Sequence, residues 1–407
     1  MAFDRRSFFG LAGATTLGAA LGVPATLAAT GQLQAFAGGS SVPFYGEHQA
    51  GIATPMQDRL YMAAFNVENI SRDELKSVLK EMTSAADRMT RGLGAGPIGA
   101  VNGQLESPPD DTGEAMDLAA ARVTVTVGFG ATIFDSRFGF GAKKPANFNE
   151  LPRFAKDEVP ADRLGTDLII QVCADDDQVA FHAIRNLIRI AKGKLTPVWL
   201  QSGFSGSSKQ AQSSHTPRNL FGFKDGTANL NTNDSTEAGK FLWADESWMA
   251  GGTYMAVRNF RFDIETWDRS ALLEQEQVFG RTKGEGAPLS GGSEFTKPDF
   301  EAKNAVGETA IPKDSHFALA HPDRHGGAKI LRRAFNYSNG TDRVGHIDAG
   351  LLFISYQKDL DTQFVPIQRM LANNDRMNEY VKVVGSAAYA CPPGLKPGQY
   401  WGHELFS

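Results

Sequence analysis

The order of predicted strands and helices occurs twice along the chain, and this repetition restricts the fold more than any other feature. Residues 61–67 read YMAAFNV and predict a buried strand, after which a helix begins. Residues 254–260 read YMAVRNF, predict a strand of the same kind, and are followed by a predicted helix over 264–278. A repeated β-α-β unit favours two copies of one module, each with an antiparallel sheet that carries helices on one face. The predicted fold class is therefore α+β with two ferredoxin-like modules.

Hydrophobic periodicity supplies the other elements of each copy. The first helix has a capping-box pattern at Ser71 and Glu74, and its apolar residues recur at helical spacing. Valines alternate with threonines over 121–129, so this strand is predicted to be half exposed. The remaining predicted elements are buried strands at 168–173 and 351–356, a helix that begins at 175–177, and a helix near 364–372. A stretch rich in Ser, Gly and Gln at 202–214 is predicted to join the two copies.

Length and composition are typical of a globular protein with a full core. The chain has 407 residues, of which 42% are hydrophobic and 21% are charged, and these values exclude a disordered or fibrous protein. The formal net charge of −5, without a basic stripe interleaved with aromatic residues, argues against a nucleic-acid partner. The two cysteines, Cys173 and Cys391, allow one disulfide at most and exclude a disulfide framework.

The first residues have the pattern of an export signal. DRRSFF at 4–9 opens an uncharged run to Thr30 that is rich in Gly, Ala, Thr and Leu, as is typical of a twin-arginine leader. A membrane-spanning helix is the alternative, because the run is long enough to cross a hydrocarbon core of about 30 Å. The Gly and Thr content and the small residues Ala35 and Ala37 favour a cleaved signal peptide over 1–37. We therefore expect an exported protein without stable membrane insertion.

A carboxylate in a turn-forming segment is the first candidate for chemistry. Residues 218–229 read RNLFGFKDGTAN, in which glycines lie near Asp225 on both sides. Gly226 allows a backbone conformation with positive φ and a close approach to a flat ligand. Thr227 and Asn229 then offer short polar groups and backbone N–H donors to an anionic group. The alternative is an ordinary surface Asx turn, since Asp-Gly is a common turn dipeptide.

Five short segments are specific when they are taken together and in order. They are PFYGEHQAGI at 43–52, GFKDG at 222–226, DSH at 314–316, ILRR at 330–333 and GLLF at 350–353. GFKDG matches the GxxDG motif of dye-decolourising (DyP-type) haem peroxidases, and the chain resembles this family over most of its length. With its leader, the chain looks most like the exported branch described as deferrochelatase/peroxidase of a bacterial iron-uptake system.

The resemblance implies a domain plan and a cofactor. The plan is a signal peptide over 1–37, an N-terminal ferredoxin-like domain over 42–205 and a C-terminal ferredoxin-like domain over 211–407 that binds haem. The two domains would form the dimeric α+β barrel type of architecture. The implied cofactor is haem b, held non-covalently because the chain contains no CxxCH pattern.

One of the eight histidines must hold the haem iron if the resemblance is correct. The resemblance assigns this role to His316, which follows a Gly-rich polar insert over 280–314 that we predict to be a functional cover or mobile surface. His316 begins a short apolar-periodic segment that can turn the ring into a covered pocket. A partner carboxylate on its other nitrogen is expected, but the sequence does not identify it. With His321 and His325, His316 also suggests an alternative, a zinc-like site without haem, although the segment has no thiolate.

Two adjacent arginines, Arg332 and Arg333, begin a predicted strand over 332–337. Side chains alternate along a strand, so only one of the two can point into a pocket, and the resemblance selects Arg332 as the catalytic cation. The alternative is that both are solvated surface charges. The cofactor contacts implied by the resemblance are Gly226, Thr227, Ala228, His321, Pro322, Asp323 and Arg332.

The predicted function is that of a haem peroxidase that reduces hydrogen peroxide and oxidises one-electron donors such as dyes and phenols. In the expected mechanism, Asp225 moves a proton between the peroxide oxygens and Arg332 stabilises developing negative charge. The resemblance adds release of iron from haem with the porphyrin intact. Iron-uptake components and a second copy of the chain are further candidate partners, and the predicted location is periplasmic or extracellular. The alternatives are a haem carrier without turnover and a non-haem interaction protein of the same fold.

Overall fold

The computed structural model describes residues 40–206 and 216–407 of the chain. In chain order, the strands are β1 Arg59–Val67, β2 Thr124–Gly130, β3 Leu168–Ala174, β4 Leu195–Phe204, β5 Thr253–Phe262, β6 Leu331–Arg332, β7 Phe335–Thr341, β8 Ile347–Gln357 and β9 Val381–Cys391. The α-helices are α1 Arg72–Thr90, α2 Asp177–Ala191, α3 Ser235–Phe241, α4 Ile264–Trp267, α5 Leu272–Phe279, α6 His316–Ala320 and α7 Val365–Asn374. The signal peptide predicted over 1–37 and residues 207–214 of the predicted joint lie outside the described residues.

These strands pair into one antiparallel sheet that closes on itself as a barrel. Starting from β5, the successive neighbours are β9, β2, β3, β1, β4, β7 and β8, and β8 pairs with β5 again. The two halves of the chain meet at two short seams. At one seam Phe129 of β2 pairs with Ala390 of β9, and at the other Phe204 of β4 pairs with Asn336 of β7. Closure of the ring encloses the inner face of every strand that takes part in it.

Both halves of the barrel have the same strand order. It is β4-β1-β3-β2 in the first half and β9-β5-β8-β7 in the second. When the short β6 and β7 are counted as one interrupted strand, each half places its fourth, first, third and second strands side by side. The ferredoxin-like β-α-β-β-α-β unit has this arrangement, and the prediction of two such modules is confirmed. Helices α1 and α2 pack on the sheet of the first half, and the helical segment that leads into α7 packs on the second. The predicted domain boundaries at 205 and 211 stay predictions.

The first helix begins where the capping-box pattern predicts. The hydroxyl of Ser71 accepts from the backbone N–H of Glu74 over 3.2 Å, and the carboxylate of Glu74 accepts from the N–H of Ser71 over 2.8 Å. Helix α2 begins after Asp176, whose carboxylate accepts from the N–H of Val179 over 3.0 Å. Both starts follow from side chains that satisfy otherwise unpaired N–H groups within one turn, which is why the local sequence predicts them.

The prediction that β2 is half exposed is wrong, because all seven of its residues are buried. Thr126 donates its hydroxyl proton to the carbonyl of Ala50 over 2.7 Å, and the hydroxyl of Thr124 accepts from the amide of Gln57 over 3.0 Å. The alternating valines pack against the helices, and the threonines lie on the opposite face, inside the barrel. A threonine pattern is typical of an exposed face, but barrel closure buries that face and supplies hydrogen-bond partners.

The helix predicted over 264–278 is interrupted, since residues 268–271 lie between α4 and α5. The interruption inserts Trp267 into an aromatic cluster, where it is 2% exposed. The amide of Gln275 donates to the carbonyl of Trp267 over 3.0 Å and stabilises the break. The strand predicted over 332–337 is also divided into β6 and β7, and both parts pair with β8.

A buried ion pair joins the segment before β3 to β5. Arg258 is fully buried, and its guanidinium contacts both carboxylate oxygens of Asp157 over 2.5 and 3.0 Å and donates to the hydroxyl of Ser386 over 2.8 Å. We expect Asp157→Ala to lower the free energy of unfolding by about 3–5 kcal/mol, because it leaves a guanidinium buried without its counter-ion. Chemical denaturation measures this loss. The matched variant Ser386→Ala removes one hydrogen bond and should cost about 1 kcal/mol, so equal losses would contradict the assignment.

None of the helices in residues 40–206 and 216–407 has the length and apolar character needed to cross a membrane.

Candidate active site

The segment around 217–226 is a closed turn that presents Asp225. The N–H of Asp225 donates to the carbonyl of Pro217 over 2.7 Å. Gly222 has a φ of 84° and Gly226 a φ of 147°, so both occupy the positive region that favours glycine. The Asx-type hydrogen bonds of the turn come from Asn219, whose side-chain oxygen accepts from two following N–H groups over 3.1 and 3.3 Å. These hydrogen bonds use the backbone of Asp225 and the side chain of Asn219, so the carboxylate of Asp225 is available to a partner residue outside the turn.

That partner is Arg332, which reaches the carboxylate from β6. Its Nη1 donates to Oδ1 of Asp225 over 2.5 Å. The side chain of Asn229 holds the backbone of Arg332 on both sides, accepting from its N–H and donating to its carbonyl, each over 2.8 Å. Arg333 points the other way, is 4% exposed, and donates to the carbonyl of Thr54 over 2.5 Å. The alternative that both arginines are solvated surface charges is wrong.

His316 is the first residue of α6, and its ring is fixed by a buried acid. Its Nδ1 lies 2.6 Å from Oδ2 of Asp375, which is 6% exposed as a residue and whose Oδ1 accepts from the N–H of Met377 over 2.9 Å. Burial disfavours the charged imidazole, but the Asp375 carboxylate outweighs burial and raises the pKa of His316. The hydrogen bond places the Nδ1 proton toward Asp375 and leaves Nε2 as the ring nitrogen with a lone pair.

A single cavity in the second module brings the three predicted residues together. Asp225, Arg332 and His316 all line it. After burial and Asp375, the next influences on the pKa of His316 come from Asp225, which raises it, and Arg332, which lowers it, as expected for charges that share one cavity. The apolar walls are formed by Phe260, Phe262, Phe279, Ile330, Leu351, Phe353, Phe364, Ile367 and Leu371. An apolar slot with an imidazole, a carboxylate and a guanidinium suits a flat, mostly apolar ligand that carries a metal.

Five further predicted contact residues line this cavity, and one does not. Those that line it are Gly226, Thr227, Ala228, His321 and Pro322. The carboxylate of Asp323 is 71% exposed and lies outside the lining, so its predicted contact with the cofactor is not supported. The hydroxyl of Thr227 donates to Glu294 over 2.9 Å and is therefore engaged within the protein.

The zinc-like alternative at His316, His321 and His325 is not formed. The Nε2 of His325 lies 2.7 Å from the carbonyl of Leu319, to which it can donate, and Nδ1 of His321 accepts from the N–H of Asp323 over 3.3 Å. Across the described residues, no group of three or more His, Cys, Asp or Glu side chains could hold a metal ion.

Sequence reasoning missed two charged residues that shape the cavity. Asp375 lies 59 positions after His316, and nothing in its surroundings along the chain distinguishes it from other acidic residues. Arg281 lines the cavity with its guanidinium carbon 3.9 Å from the ring centre of Phe317, and burial lowers its pKa. In the described part of the chain, no ion pair joins Arg281 to a carboxylate. Arg281 belongs to the insert over 280–314, whose length was the one signal that pointed to it.

Glu294 connects the same insert to the turn that carries Asp225. Its carboxylate is 9% exposed as a side chain and contacts Lys224 over 2.5 Å, and it also accepts from the hydroxyls of Thr216 and Thr227. Burial opposes ionisation of Glu294, but Lys224 and the two hydroxyls outweigh it and lower its pKa. The insert is therefore anchored to the cavity wall rather than loosely attached.

Comparison with known proteins agrees with this arrangement along most of the chain. The family model described as Dyp-type peroxidase, N-terminal, matches residues 49–205, and the one described as Dyp-type peroxidase, C-terminal, matches 216–396. A protein named deferrochelatase from Escherichia coli K12 is 37% identical over 390 residues, which cover 93% of this chain and 90% of that protein. One from Yersinia pseudotuberculosis is 36% identical over 368 residues, which cover 88% and 83%.

Solved structures of similar sequence share the fold. Ferric DtpA from Streptomyces lividans superimposes with a TM-score of 0.84 at 35% identity, covering 92% of this chain and all of that one. A DyP-type peroxidase from Cellulomonas bogoriensis gives a TM-score of 0.80 at 35% identity, covering 90% of this chain and 98% of that one. The chain therefore belongs to the Dyp-type peroxidase family and is a haem peroxidase.

Proposed function

We propose that the chain binds haem b non-covalently in the cavity of the second module, with Nε2 of His316 as the iron ligand. The observation that carries this proposal is the 2.6 Å contact between Nδ1 of His316 and Asp375. A carboxylate on the non-ligating nitrogen is the usual way to orient a metal-binding imidazole and to increase its basicity. The ring also lines the cavity, where its side chain keeps 36% of its surface accessible.

The residues of the cavity fit this group. Aromatic and aliphatic walls match the apolar face of a macrocycle, and haem also carries two anionic propionates that need cationic partners. Lys224 and Lys329 line the cavity, but each is already paired with a glutamate. Arg281 lines it too and forms no ion pair in the described chain, although its Nη1 donates to the carbonyls of Gly286 and Glu294 over 2.6 and 2.9 Å. We assign a propionate to its Nε and Nη2, since a guanidinium can bind a carboxylate through two parallel hydrogen bonds.

Asp225 and Arg332 are proposed as the catalytic pair for reduction of hydrogen peroxide. Haem, when bound, supplies the iron that binds peroxide and takes up the oxidising equivalents. Because Arg332 holds Oδ1 of Asp225, Oδ2 is the oxygen left to take a proton from one peroxide oxygen and return it to the other, from which water leaves. The Arg332 guanidinium stabilises the negative charge that develops on the departing oxygen. The proposed electron sources are organic one-electron donors such as dyes and phenols.

Release of iron from haem, with the porphyrin left intact, is proposed as a second activity. The relatives from Escherichia coli and Yersinia pseudotuberculosis that align with most of this chain carry the name deferrochelatase, and this favours including it. In that reaction haem is the substrate, and the same cavity would hold it. The matching peroxidase family models and the deferrochelatase relatives favour turnover over the alternative of a haem carrier.

An absorption spectrum of the purified protein, recorded before and after addition of peroxide, tests the proposal. We expect a Soret band that changes with peroxide and recovers when an organic donor is oxidised. A stable Soret band with no donor oxidation would identify a carrier, and no Soret band after incubation with haemin would exclude haem binding. Product analysis with and without peroxide then separates the two activities, because only iron release produces free protoporphyrin.

The export signal predicted over 1–37 and the deferrochelatase relatives together favour a location of this protein outside the cytoplasm. We propose export by the twin-arginine pathway to the periplasm, or to the exterior of a cell with one membrane, and a role in iron uptake. Iron-uptake components and a second copy of this chain are the proposed protein partners. Fractionation of cells that express the chain with and without Arg5 and Arg6 replaced by lysine tests the export step, and equal export of both forms would contradict it.

Asp375→Asn tests the carboxylate that supports His316. Asparagine keeps the size of the side chain and an oxygen that can accept from the N–H of Met377, but it removes the negative charge from Nδ1 of His316. We expect haem affinity to fall by about 10- to 100-fold, measured by titration with haemin. Asp176→Asn is the matched control, because Asp176 also accepts from a backbone N–H, that of Val179 over 3.0 Å, at the start of α2 in the first module. Equal affinity of both variants would contradict the role of Asp375.

A further inference from the structure

A second cavity lies in the first module and shares no lining residue with the candidate active site. It has a volume of about 180 Å³ and lies between the end of α1, the segment 92–120, the start of β2 and α2. Its apolar lining includes Met89, Leu93, Val101, Met116, Leu118 and Val179. No step of peroxide reduction uses these residues.

The segment that covers this cavity is held in place although it contains neither helix nor strand. Asp111 accepts from the N–H of Ala95 over 2.6 Å and of Gly113 over 2.7 Å, and Asp110 does the same for two other N–H groups of the segment over 2.6 and 2.8 Å. Arg88 of α1 donates to two of its carbonyls, each over 2.9 Å. The side chains of Arg88, Asp110 and Asp111 therefore hold the backbone of the segment by hydrogen bonds, and the cavity that it covers is preformed.

The charged side chains at the base of the cavity contact one another. Nε2 of His182 lies 3.3 Å from Asp111, and Nδ1 lies 3.4 Å from Glu114, which also contacts Arg185 over 3.3 Å. The amide of Asn186 donates to the hydroxyl of Thr112 over 2.6 Å. These contacts pair the charged groups with one another, although Oε2 of Glu114 is buried without a hydrogen-bond partner among the described residues. The rest of the cavity lining offers a ligand mainly apolar contact.

The mouth of the cavity exposes apolar side chains that a monomer would normally bury. Val101 and Met116 line the cavity and are 68% and 48% exposed, and Ile98 and Leu105 of the same segment are 51% and 95% exposed. Single exposed apolar residues are ordinary, whereas a group of them around a preformed cavity marks a binding site.

We infer that this cavity is a binding site for a small, neutral, apolar molecule of about the size of benzene to indole. An apolar protein cavity of about 150 Å³ is large enough to take up benzene, and the present cavity is of similar volume. The ligand would fill the space next to Met89 and bring Met116 and Val101 out of water. The site is independent of haem binding and of the peroxidase reaction.

Methionine methyl groups report on the site directly. In the haem-loaded protein labelled with ¹³C at the methionine methyls, titration with indole should shift the Met89 and Met116 signals in a saturable way. The signals of Met62 and Met255, which are fully buried in a separate cluster between the two halves of the barrel, should not move. Benzoate, an aromatic of similar size with a negative charge, should leave all four signals unchanged.

Two substitutions fill the cavity from opposite sides. Ala183→Leu adds volume from α2 and Ala119→Leu from the covering segment, and either should abolish the indole-dependent shift. An unchanged Soret band shows that each variant has folded. Shifts that persist in both folded variants, or that benzoate also causes, would overturn the inference. So would Met116 shifts that depend on protein concentration alone, since these would show that a second copy of the chain covers the cavity.

Discussion

Replacing Asp225 with alanine is expected to slow the reaction with hydrogen peroxide by about 100- to 10,000-fold while haem stays bound, because a general acid–base group contributes a factor of this size. The carboxylate is oriented by a 2.5 Å contact with Arg332, and the turn that carries it is held by other groups, so the substitution should not unfold the segment. Stopped-flow absorption after mixing with peroxide measures the rate. Asp225→Asn should show a loss of similar size, since an amide cannot accept the proton.

The partner substitution Arg332→Leu should slow the same step by about 100- to 1,000-fold, the range found when one stabilising donor is removed. Asn229 contacts only the backbone of Arg332, so those two hydrogen bonds survive the substitution. Because the two side chains form one unit, the loss in the double variant should be much smaller than the product of the two single losses. Multiplicative losses would show that the two residues act independently and would contradict the proposed pair.

A surface ion pair provides the control for both variants. Lys382 and Glu158 lie 3.2 Å apart with side chains that are 59% and 58% exposed, and they lie outside the cavity. Like Asp225→Ala, Glu158→Ala removes a carboxylate that is paired with a basic side chain. It should leave the rate of reaction with peroxide unchanged. An equal decrease in this control would trace the effect to general electrostatics and would remove Asp225 from the mechanism.

Replacing His316 with alanine is expected to have the largest effect on haem binding. Loss of a residue that only supports a metal ligand lowers affinity by about 10- to 100-fold, so loss of the ligand itself should exceed this range. The variant also leaves the nearly buried Asp375 carboxylate without its imidazole partner, which should cost about 1–3 kcal/mol of stability. Titration with haemin, followed at the Soret band, measures the affinity, and denaturation measures the stability.

Added imidazole allows a rescue experiment on the His316→Ala variant. Because the cavity remains in His316→Ala, free imidazole should occupy the place of the ring and restore part of the Soret band. His346→Ala is the control, since His346 is 63% exposed as a side chain and lies outside the cavity. A His316→Ala protein with unchanged haemin affinity would exclude His316 as the iron ligand, whatever the behaviour of the control.

The residues proposed to carry the chemistry could be identified from sequence because they lie in short motifs. Asp225 lies beside a glycine with positive φ, and Arg332 and Arg333 alternate, so local geometry and the family resemblance were enough to select them. The acid that supports His316 could not be selected in this way. Asp375 approaches His316 only because α6 and α7 pack against each other, and one carboxylate among 46 acidic residues has no local feature that reveals such a contact.

The errors of the sequence reasoning have the same origin. Thr124 and Thr126 predict a strand face in water, yet the closed ring of strands encloses that face and gives both hydroxyls partners. The helix predicted over 264–278 is interrupted where Trp267 packs into a cluster with Phe221 and Tyr380. In each case burial depended on residues distant in sequence, which a periodic pattern does not contain.

By itself, the sequence determined the helix starts, the core-facing positions of most strands, the repeated module and the motif residues around Asp225 and Arg332. These features depend on interactions between residues within a few positions of one another, such as a cap over one turn or the alternation of side chains along a strand. Only the tertiary structure decided which acid contacts His316, which arginine lines the cavity without an ion pair among the described residues, and which polar faces are buried. Those outcomes follow from barrel closure and helix packing, which bring together groups far apart along the chain and set their solvent exposure.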